Sequence, residues 1–108
     1  MIQLPSQVAA YVEAANAQDA ARVAACFSTD ASVHDEGTTR RGTAEIRAWA
    51  QDTAQRYAFN IEPVSIVAVD GEHRLTATVR GNFPGSPAVL HFAFVLNATG
   101  IAALEIGA

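Results

Sequence analysis

The order of the helix and strand signals constrains the fold of this chain more than any single motif does. Apolar residues recur at helical spacing through most of the first half, whereas apolar and polar residues alternate through the second half. Helices followed by a run of strands predict an α+β fold, with three helices packed on one face of a curved, mainly antiparallel sheet. With 108 residues there is room for one core, so we expect a single domain over residues 1–108.

Three helices are predicted in the first half. The first opens at Pro5, the second runs from Ala20 to Phe27 behind Asp19 as N-cap, and the third begins at Gly42 with Thr43 as N-cap. The apolar stripe of the first helix consists of Leu4, Val8, Tyr11, Val12 and Ala15. The stripe of the third consists of Ile46, Trp49, Ala50, Thr53 and Tyr57.

Five strands are predicted. A short strand, Ala31 to Asp35, lies between the second and third helices. The second half contributes four more, which are Phe59 to Val69, His73 to Phe83, Ala88 to Leu96 and Ile101 to Ile106. Pro63 is expected to bend the first of these four, Asp70-Gly71 is a strong hairpin signal, and Pro84-Gly85-Ser86-Pro87 predicts a rigid turn.

The strand from Ala88 to Leu96 is apolar on both of its faces. One face carries Leu90, Phe92 and Phe94, and the other carries Val89, Ala93 and Val95. An antiparallel sheet that is solvated on one side alternates more cleanly than this. We therefore expect a second copy of the chain to cover the outer face, which would give a homodimer through the sheet.

The composition argues against several classes of partner. The net charge is −4, and the seven Lys and Arg residues form no basic run, which disfavours nucleic acid and anionic membranes as partners. No apolar run approaches the length of about 18 residues that a membrane span needs. The first residues also lack the basic start of a signal peptide, so the cytoplasm is the expected location.

The sequence indicates no metal site and no cofactor. His34 and Asp35 are neighbours on a strand, so their side chains point to opposite faces and cannot grip one ion together. The other histidines and the single cysteine, Cys26, are scattered, and the thiol is expected to be buried and inert. Arg40 and Arg41 are interpreted as solvated charges before the third helix; the alternative is that one of them reaches a pocket mouth and holds an anionic group.

Asp35 is the candidate catalytic residue. Strand alternation places it on the same face as Ala31 and Val33, which is the apolar face. A carboxylate that faces a core is costly, and partial burial raises its pKa toward the pH at which a general base works. The alternative is that Asp35 simply closes the strand and leads into the turn at Glu36-Gly37.

Three stretches resemble the ketosteroid isomerase and SnoaL-like (polyketide cyclase) group of the nuclear transport factor 2-like superfamily. They are Tyr11 to Asp19, Phe27 to Asp35 and Gly42 to Arg47. The resemblance implies a cone-shaped α+β fold of the cystatin-like kind. It does not specify one activity, because proteins with this fold include isomerases, cyclases, hydrolases, dehydratases and non-catalytic binders.

The resemblance to ketosteroid isomerases assigns roles to particular positions. It places the general base at Asp35 and a hydrogen-bond donor to the enolate oxygen at Tyr11. A second donor, a protonated aspartate on a late strand, would fall at Leu90 in this chain. Ketosteroid isomerase is an established example of such pKa tuning, and the departure at Leu90 argues against the same steroid chemistry here.

These observations predict a small-molecule enzyme in which Asp35 is the base and Tyr11 polarises an acceptor oxygen. The substrate would be a small apolar or carbonyl-bearing molecule, and the reaction an isomerase- or cyclase-type proton transfer, or water activation in a related hydrolase or dehydratase. The expected pocket wall consists of Trp49, Tyr57, Phe83, Leu90, Phe92 and Phe94, although aromatic residues at such spacing are often plain core residues. The alternative function is a non-catalytic module that binds a small ligand or dimerises, which Leu90 favours.

Overall fold

Three helices lie against one face of a six-stranded sheet in the computed structural model, which describes residues 2–108. The helices are α1 (Ser6–Asn16), α2 (Ala20–Ala25) and α3 (Gly42–Tyr57). The strands are β1 (Phe27–Asp35), β2 (Thr38–Arg41), β3 (Asn60–Val69), β4 (Glu72–Arg80), β5 (Ala88–Asn97) and β6 (Gly100–Gly107). The predicted α+β architecture, with three helices before most of the strands, is confirmed.

The sheet has the strand order β2-β1-β6-β5-β4-β3. Every neighbouring pair is antiparallel except β1 and β6, which run parallel, with Val33 opposite Leu104. The second-half strands β3 to β6 form the expected meander. The parallel contact inserts β1, which comes from the helical half of the chain, beside the last strand.

Helix α2 is shorter than predicted. Asp19 caps it as expected, accepting a hydrogen bond from the Arg22 N–H at 3.1 Å. The helix ends at Ala25, however, and Phe27 already belongs to β1, where it pairs with Ile101. The prediction that Phe27 ends the helix and that the strand starts at Ala31 was wrong, because pairing with β6 recruits Phe27 and a register shift accommodates the residues up to Ser32.

Two local predictions around α3 also change. Thr43 is not the N-cap; Arg41 occupies that position, and its backbone N–H donates to the Glu45 carboxylate at 2.9 Å. Strand β2 was not predicted. It exists because Glu36 and Gly37 both have positive φ, 55° and 73°, which is the backbone of a two-residue hairpin turn that pairs Asp35 with Thr38.

The predicted turns between the later strands are confirmed. Asp70 and Gly71 have φ values of 51° and 79°, and the register of β3 against β4 shifts after Pro63. Strand β4 stops at Arg80, earlier than predicted. A Cβ at Gly81 would lie 2.6 Å from the Tyr57 carbonyl oxygen, so this glycine allows the chain to pass close against the end of α3.

The core lies between the helices and the inner face of the sheet. The alternation predicted for β4 holds, since Leu75, Ala77 and Val79 are all buried. The helices contribute their predicted stripes, including Val8 and Ile46, which are fully buried. None of the helices within residues 2–108 is long and apolar enough to cross a membrane.

Gly100 is predicted to be intolerant of a side chain, because its backbone φ is +149° and a Cβ would lie 2.7 Å from the Cys26 carbonyl oxygen. That carbonyl accepts the Ile101 N–H at 2.9 Å, which joins the end of α2 to the start of β6. Gly100→Ala should lower the free energy of unfolding by about 1–3 kcal/mol, as overpacking usually does.

Gly107→Ala is the matched control at the other end of β6, since nothing lies within 4 Å of the position of its Cβ. Urea denaturation of both variants measures the difference. Equal stability of the two variants would contradict the close packing described for Gly100.

Candidate active site

A cavity of about 540 Å³ opens between α3, the end of β1 and the inner face of the sheet. Its size is that of a pocket for a small organic molecule. It is lined by Tyr11, Asp35, Glu36, Gly37, Trp49, Thr53, Tyr57, Phe59, Ile61, Val79, Phe83, Pro84, Ala88, Leu90, Phe92, Ile106, Gly107 and Ala108. Most of this wall is apolar or aromatic.

Asp35 lies in the cavity wall at the end of β1, half-buried, on the same side of the strand as the buried Val33. Its Oδ2 accepts a hydrogen bond from the indole Nε1 of Trp49 at 3.0 Å. No other side chain within residues 2–108 donates to this carboxylate. One oxygen is therefore held by an uncharged donor, and the group is not locked into an ion pair.

Burial raises the pKa of the Asp35 carboxyl, and it is the largest influence on that group. The Trp49 hydrogen bond lowers the pKa, the neighbouring Glu36 charge raises it, and the Arg40 charge and the Glu36 N–H lower it. The net effect is a pKa above the ordinary value. A carboxylate locked by the turn would have a lowered pKa instead, so the raised direction fits a group that accepts a proton more readily than an ordinary carboxylate does.

Tyr11 lies in the same cavity wall as Asp35, so the fold brings the two predicted catalytic residues to one site. Its ring is buried, with 2% exposure, and packs edge-on against Phe27 and Phe94. The described residues offer no hydrogen-bond partner to its hydroxyl. Burial, then the charge of Asp35 and then that of Cys26, raise the pKa of Tyr11 well above its ordinary value, so the hydroxyl keeps its proton.

Five of the six residues expected in the pocket wall line the cavity: Trp49, Tyr57, Phe83, Leu90 and Phe92. Phe94 does not. It is fully buried, 5.5 Å from the Tyr11 ring between centroids and stacked beside Phe92. Phe94 lies two residues after Phe92 on β5, where the helices cover the sheet. It therefore packs against the residues of the cavity wall without lining the cavity itself.

A charged cluster at the cavity mouth was missed by sequence reasoning. Glu36 accepts the Tyr57 hydroxyl at 2.7 Å and pairs with Arg56 at 3.1 Å. Arg56 also pairs with Asp52 at 2.8 Å. The spacing of Asp52 and Arg56 on one helical face was a visible signal, but their contact with Glu36 depends on the β1–β2 turn, which was not predicted.

Residues outside the wall have structural partners. Arg40 donates to the Asp35 backbone carbonyl at 2.9 Å and is half-buried, so it is more than a solvated charge. His34 points away from the cavity and contacts Thr39 at 2.9 Å. The Cys26 thiol donates to the Arg22 carbonyl at 3.3 Å, and burial raises its pKa. Within residues 2–108, no three His, Cys, Asp or Glu side chains are placed to hold a metal ion together.

Comparison with known proteins gives consistent results. A family model described as the SnoaL-like domain matches residues 8–100. A crystal structure of a candidate polyketide cyclase from Sinorhizobium meliloti is 32% identical over 96% of this chain and 95% of its own, with a TM-score of 0.91. No curated protein has significant similarity to the sequence.

More distant solved structures share the fold alone. One is a protein with a ketosteroid isomerase-like fold from Catenulispora acidiphila in complex with trimethylamine, at 16% identity and a TM-score of 0.86, covering 98% of this chain and 87% of its own. Another is a nuclear transport factor 2-like protein from Cytophaga hutchinsonii, at 12% identity and a TM-score of 0.77, with 98% and 91% coverage. The cystatin-like, cone-type fold expected from the sequence is confirmed.

Replacing Asp35 by Asn is predicted to stabilise the protein at neutral pH. Because the pKa of Asp35 is raised in the folded state, the folded chain binds the proton more readily than the unfolded chain, and stability falls as pH rises through the raised pKa. The ionised carboxylate is thus a net cost at neutral pH. The advantage of Asp35→Asn should vanish below the ordinary carboxyl pKa of about 4.

Urea denaturation across a pH series measures this dependence. Asp30→Asn removes an exposed carboxylate from the same strand and controls for the loss of one charge. An Asp35→Asn variant that is destabilised at neutral pH but not in acid would contradict the assignment, because it would mean that the fold favours the anion.

Proposed function

The chain belongs to the SnoaL-like domain family, and from that membership we propose that it is a small-molecule enzyme in which Asp35 is a general base. At the level of the family, the relationship supports an isomerase- or cyclase-type function on small molecules. The Catenulispora protein, which has the same fold, is in complex with trimethylamine, and this further supports a small organic ligand for this chain.

The observation that carries the proposal is the state of the Asp35 carboxylate. It lines a cavity whose wall is mostly apolar or aromatic, its only side-chain donor within residues 2–108 is the uncharged Trp49 indole, and its pKa is raised by burial. These are the properties of a base that is desolvated enough to take a proton and still able to release it. A purely structural aspartate would instead pair with a cation or with several backbone N–H groups.

The proposed reaction begins with proton abstraction from the carbon next to a substrate carbonyl. Asp35 takes the proton, the electrons of the C–H bond form a carbon–carbon double bond, and the carbonyl oxygen becomes an enolate oxygen. Tyr11 donates a hydrogen bond to that oxygen, which its unpartnered and firmly protonated hydroxyl can do. Protonated Asp35 then returns the proton to the same carbon, or to the γ-carbon where a neighbouring carbon–carbon double bond makes the intermediate a dienolate, and the carbonyl re-forms. The related alternative is that Asp35 activates a water molecule that opens a lactone or epoxide.

A non-catalytic binding module is the second candidate, and Leu90 is the observation that favours it. Leu90 lines the cavity where the resemblance to ketosteroid isomerases would place a second donor to the enolate oxygen. One such donor is worth on the order of 10²- to 10³-fold in rate where its loss has been measured. A protein that binds a ligand without converting it would retain the cavity and tolerate this loss.

We also propose that a second copy of the chain covers the outer face of the sheet. Ala93 and Val95 lie half-buried there beside Val89, which is 55% exposed. Ala93 is flanked by Arg74 on β4 and by Glu105 on β6. A two-fold axis that passes Ala93 parallel to the strands would bring Arg74, which pairs with Glu72 on its own strand at 3.1 Å, toward Glu105 of the other copy, so opposite charges would meet across the interface.

Ala93→Arg is predicted to turn the dimer into a monomer, because it places two like charges on the proposed axis. Light scattering coupled to size-exclusion chromatography measures the mass of each variant. Ala21→Arg, the same substitution at an exposed position of α2, should leave the dimer intact. A wild-type protein that is monomeric at micromolar concentration, or an Ala93→Arg variant that still dimerises, would refute the interface.

Asp35→Asn is predicted to lower the rate of proton exchange by about 10²- to 10⁴-fold, the usual contribution of a positioned base. The rate is measured in D₂O by proton NMR, as deuterium incorporation next to the carbonyl of a panel of small ketones. Tyr11→Phe should slow exchange as well, since it removes the donor to the enolate oxygen.

Asp30→Asn serves as the control and should exchange at the wild-type rate. An unchanged rate in Asp35→Asn would exclude Asp35 as the base. If no ketone exchanges, the same panel of variants is tested for ring opening of lactones and epoxides; if these also fail while ligands bind, the binding module is the function.

A further inference from the structure

The charges of the cavity wall all have one sign. Among the lining residues, Asp35 and Glu36 are acidic, and none is Lys, Arg or His. The wall therefore offers no cationic side chain to a carboxylate, phosphate or sulfate on a substrate. Like charges brought together in a low-dielectric pocket repel strongly, so an anionic substrate is disfavoured at this site.

The negative charge at the mouth is only partly compensated. Glu36 pairs with Arg56, but Arg56 pairs at the same time with Asp52. Two carboxylates thus share one guanidinium group, and the mouth retains one net negative charge. Arg40, the other cation close to the site, donates to the Asp35 backbone carbonyl from outside the wall.

The same mouth is built from aromatic rings. Tyr57 and Phe83 pack edge to face, with centroids 5.9 Å apart, and both line the cavity. The Tyr57 ring already attracts a cation, since the Arg56 guanidinium carbon lies 4.7 Å from its centroid. Aromatic faces beside a carboxylate are the usual surroundings of bound ammonium groups in proteins.

The inner end of the cavity carries a hydrogen-bond donor. Tyr11 is buried, lines the cavity and has no hydrogen-bond partner for its hydroxyl among the described residues. The only fully buried side-chain nitrogen or oxygen without a partner among the described residues is His73 Nδ1, so the Tyr11 hydroxyl is open to the cavity and free to donate to a ligand oxygen. The cavity therefore has a polar donor at its inner end and an acidic, aromatic mouth.

We propose that the substrate is a small cationic carbonyl compound, one that carries a protonated or quaternary amine. This inference rests on the proposed function, because it assigns the carbonyl to the Asp35 and Tyr11 end. The ammonium group lies at the mouth, against the Phe83 ring and close to Glu36.

Binding of three probes of similar shape and different charge tests the inference without any turnover. The probes are choline, the neutral 3,3-dimethylbutan-1-ol and the anionic 3,3-dimethylbutanoate. The fluorescence of Trp49, the single tryptophan of the chain and a wall residue, reports binding. Choline should bind about tenfold more tightly than the alcohol, which corresponds to about 1.4 kcal/mol, and the anion should bind most weakly.

Two variants locate the preference at the mouth. Glu36→Gln removes one charge and Phe83→Leu removes an aromatic face while keeping the position apolar, so each should reduce the affinity for choline more than the affinity for the alcohol. Glu13→Gln, an exposed carboxylate on α1, removes the same charge away from the cavity and should leave all three affinities unchanged.

The inference is overturned if choline binds no better than the alcohol, or if the anion binds best. These outcomes are separate from those of the proposed function. If neutral ketones exchange their protons but choline binds no better than the alcohol, the proposed chemistry is supported and the proposed cationic substrate is refuted. If choline binds clearly better than the alcohol but neither proton exchange nor ring opening is detected, the cationic ligand is supported and the proposed chemistry is refuted.

Discussion

The parallel pairing of β1 with β6 is the constraint on which the rest of the structure depends. It joins a strand from the helical half of the chain to a sheet that is otherwise a meander of second-half strands. The pairing of Val33 with Leu104 sets which residues of β1 face the helices. Because side chains alternate along a strand, a shift of one residue would turn Asp35 to the outer face and leave the cavity without its carboxylate.

The fold carries Asp35 at a cost and limits that cost with one contact. The Trp49 indole N–H reaches Oδ2 from α3 and stabilises the anion without adding a charge. A cation in the same place would lower the pKa of Asp35 and weaken it for the proposed role as a base. Thr53 and Trp49 belong to the buried stripe of α3, so core packing also fixes the position of the donor. The stability of the fold and the proposed chemistry therefore depend on the same helix, α3.

Local patterns in the sequence predicted most of the fold, because helical stripes, strand alternation and glycine turns depend on near neighbours in the chain. The main errors occurred where contacts between residues far apart in the chain determine the structure. Phe27 leaves the helix because β6 pairs with it, and Phe94 leaves the expected wall because Tyr11 covers it. The contact of Glu36 with Tyr57 and Arg56 joins residues about 20 positions apart through a hairpin that was not predicted. The convergence of Tyr11 and Asp35 was inferred from resemblance, since neither periodicity nor spacing brings α1 next to β1.

Leu90, which stands where ketosteroid isomerases have a second hydrogen-bond donor, and the acidic cavity mouth both make it harder to stabilise negative charge on a substrate. In the proposed reaction, proton abstraction by Asp35 would move negative charge onto a substrate oxygen that Tyr11 alone would hold, beside a wall whose charged residues are acidic. Such a site stabilises the enolate of a neutral ketone poorly, because the developing charge gains one hydrogen bond and meets the charge of Glu36. A positive group on the substrate changes this balance. It is attracted to the mouth before reaction, and it stabilises the enolate through the substrate itself as the negative charge develops. The absence of a second hydrogen-bond donor at Leu90 and the absence of a basic residue from the cavity wall then have one explanation. Part of the charge that stabilises the enolate comes from the bound substrate.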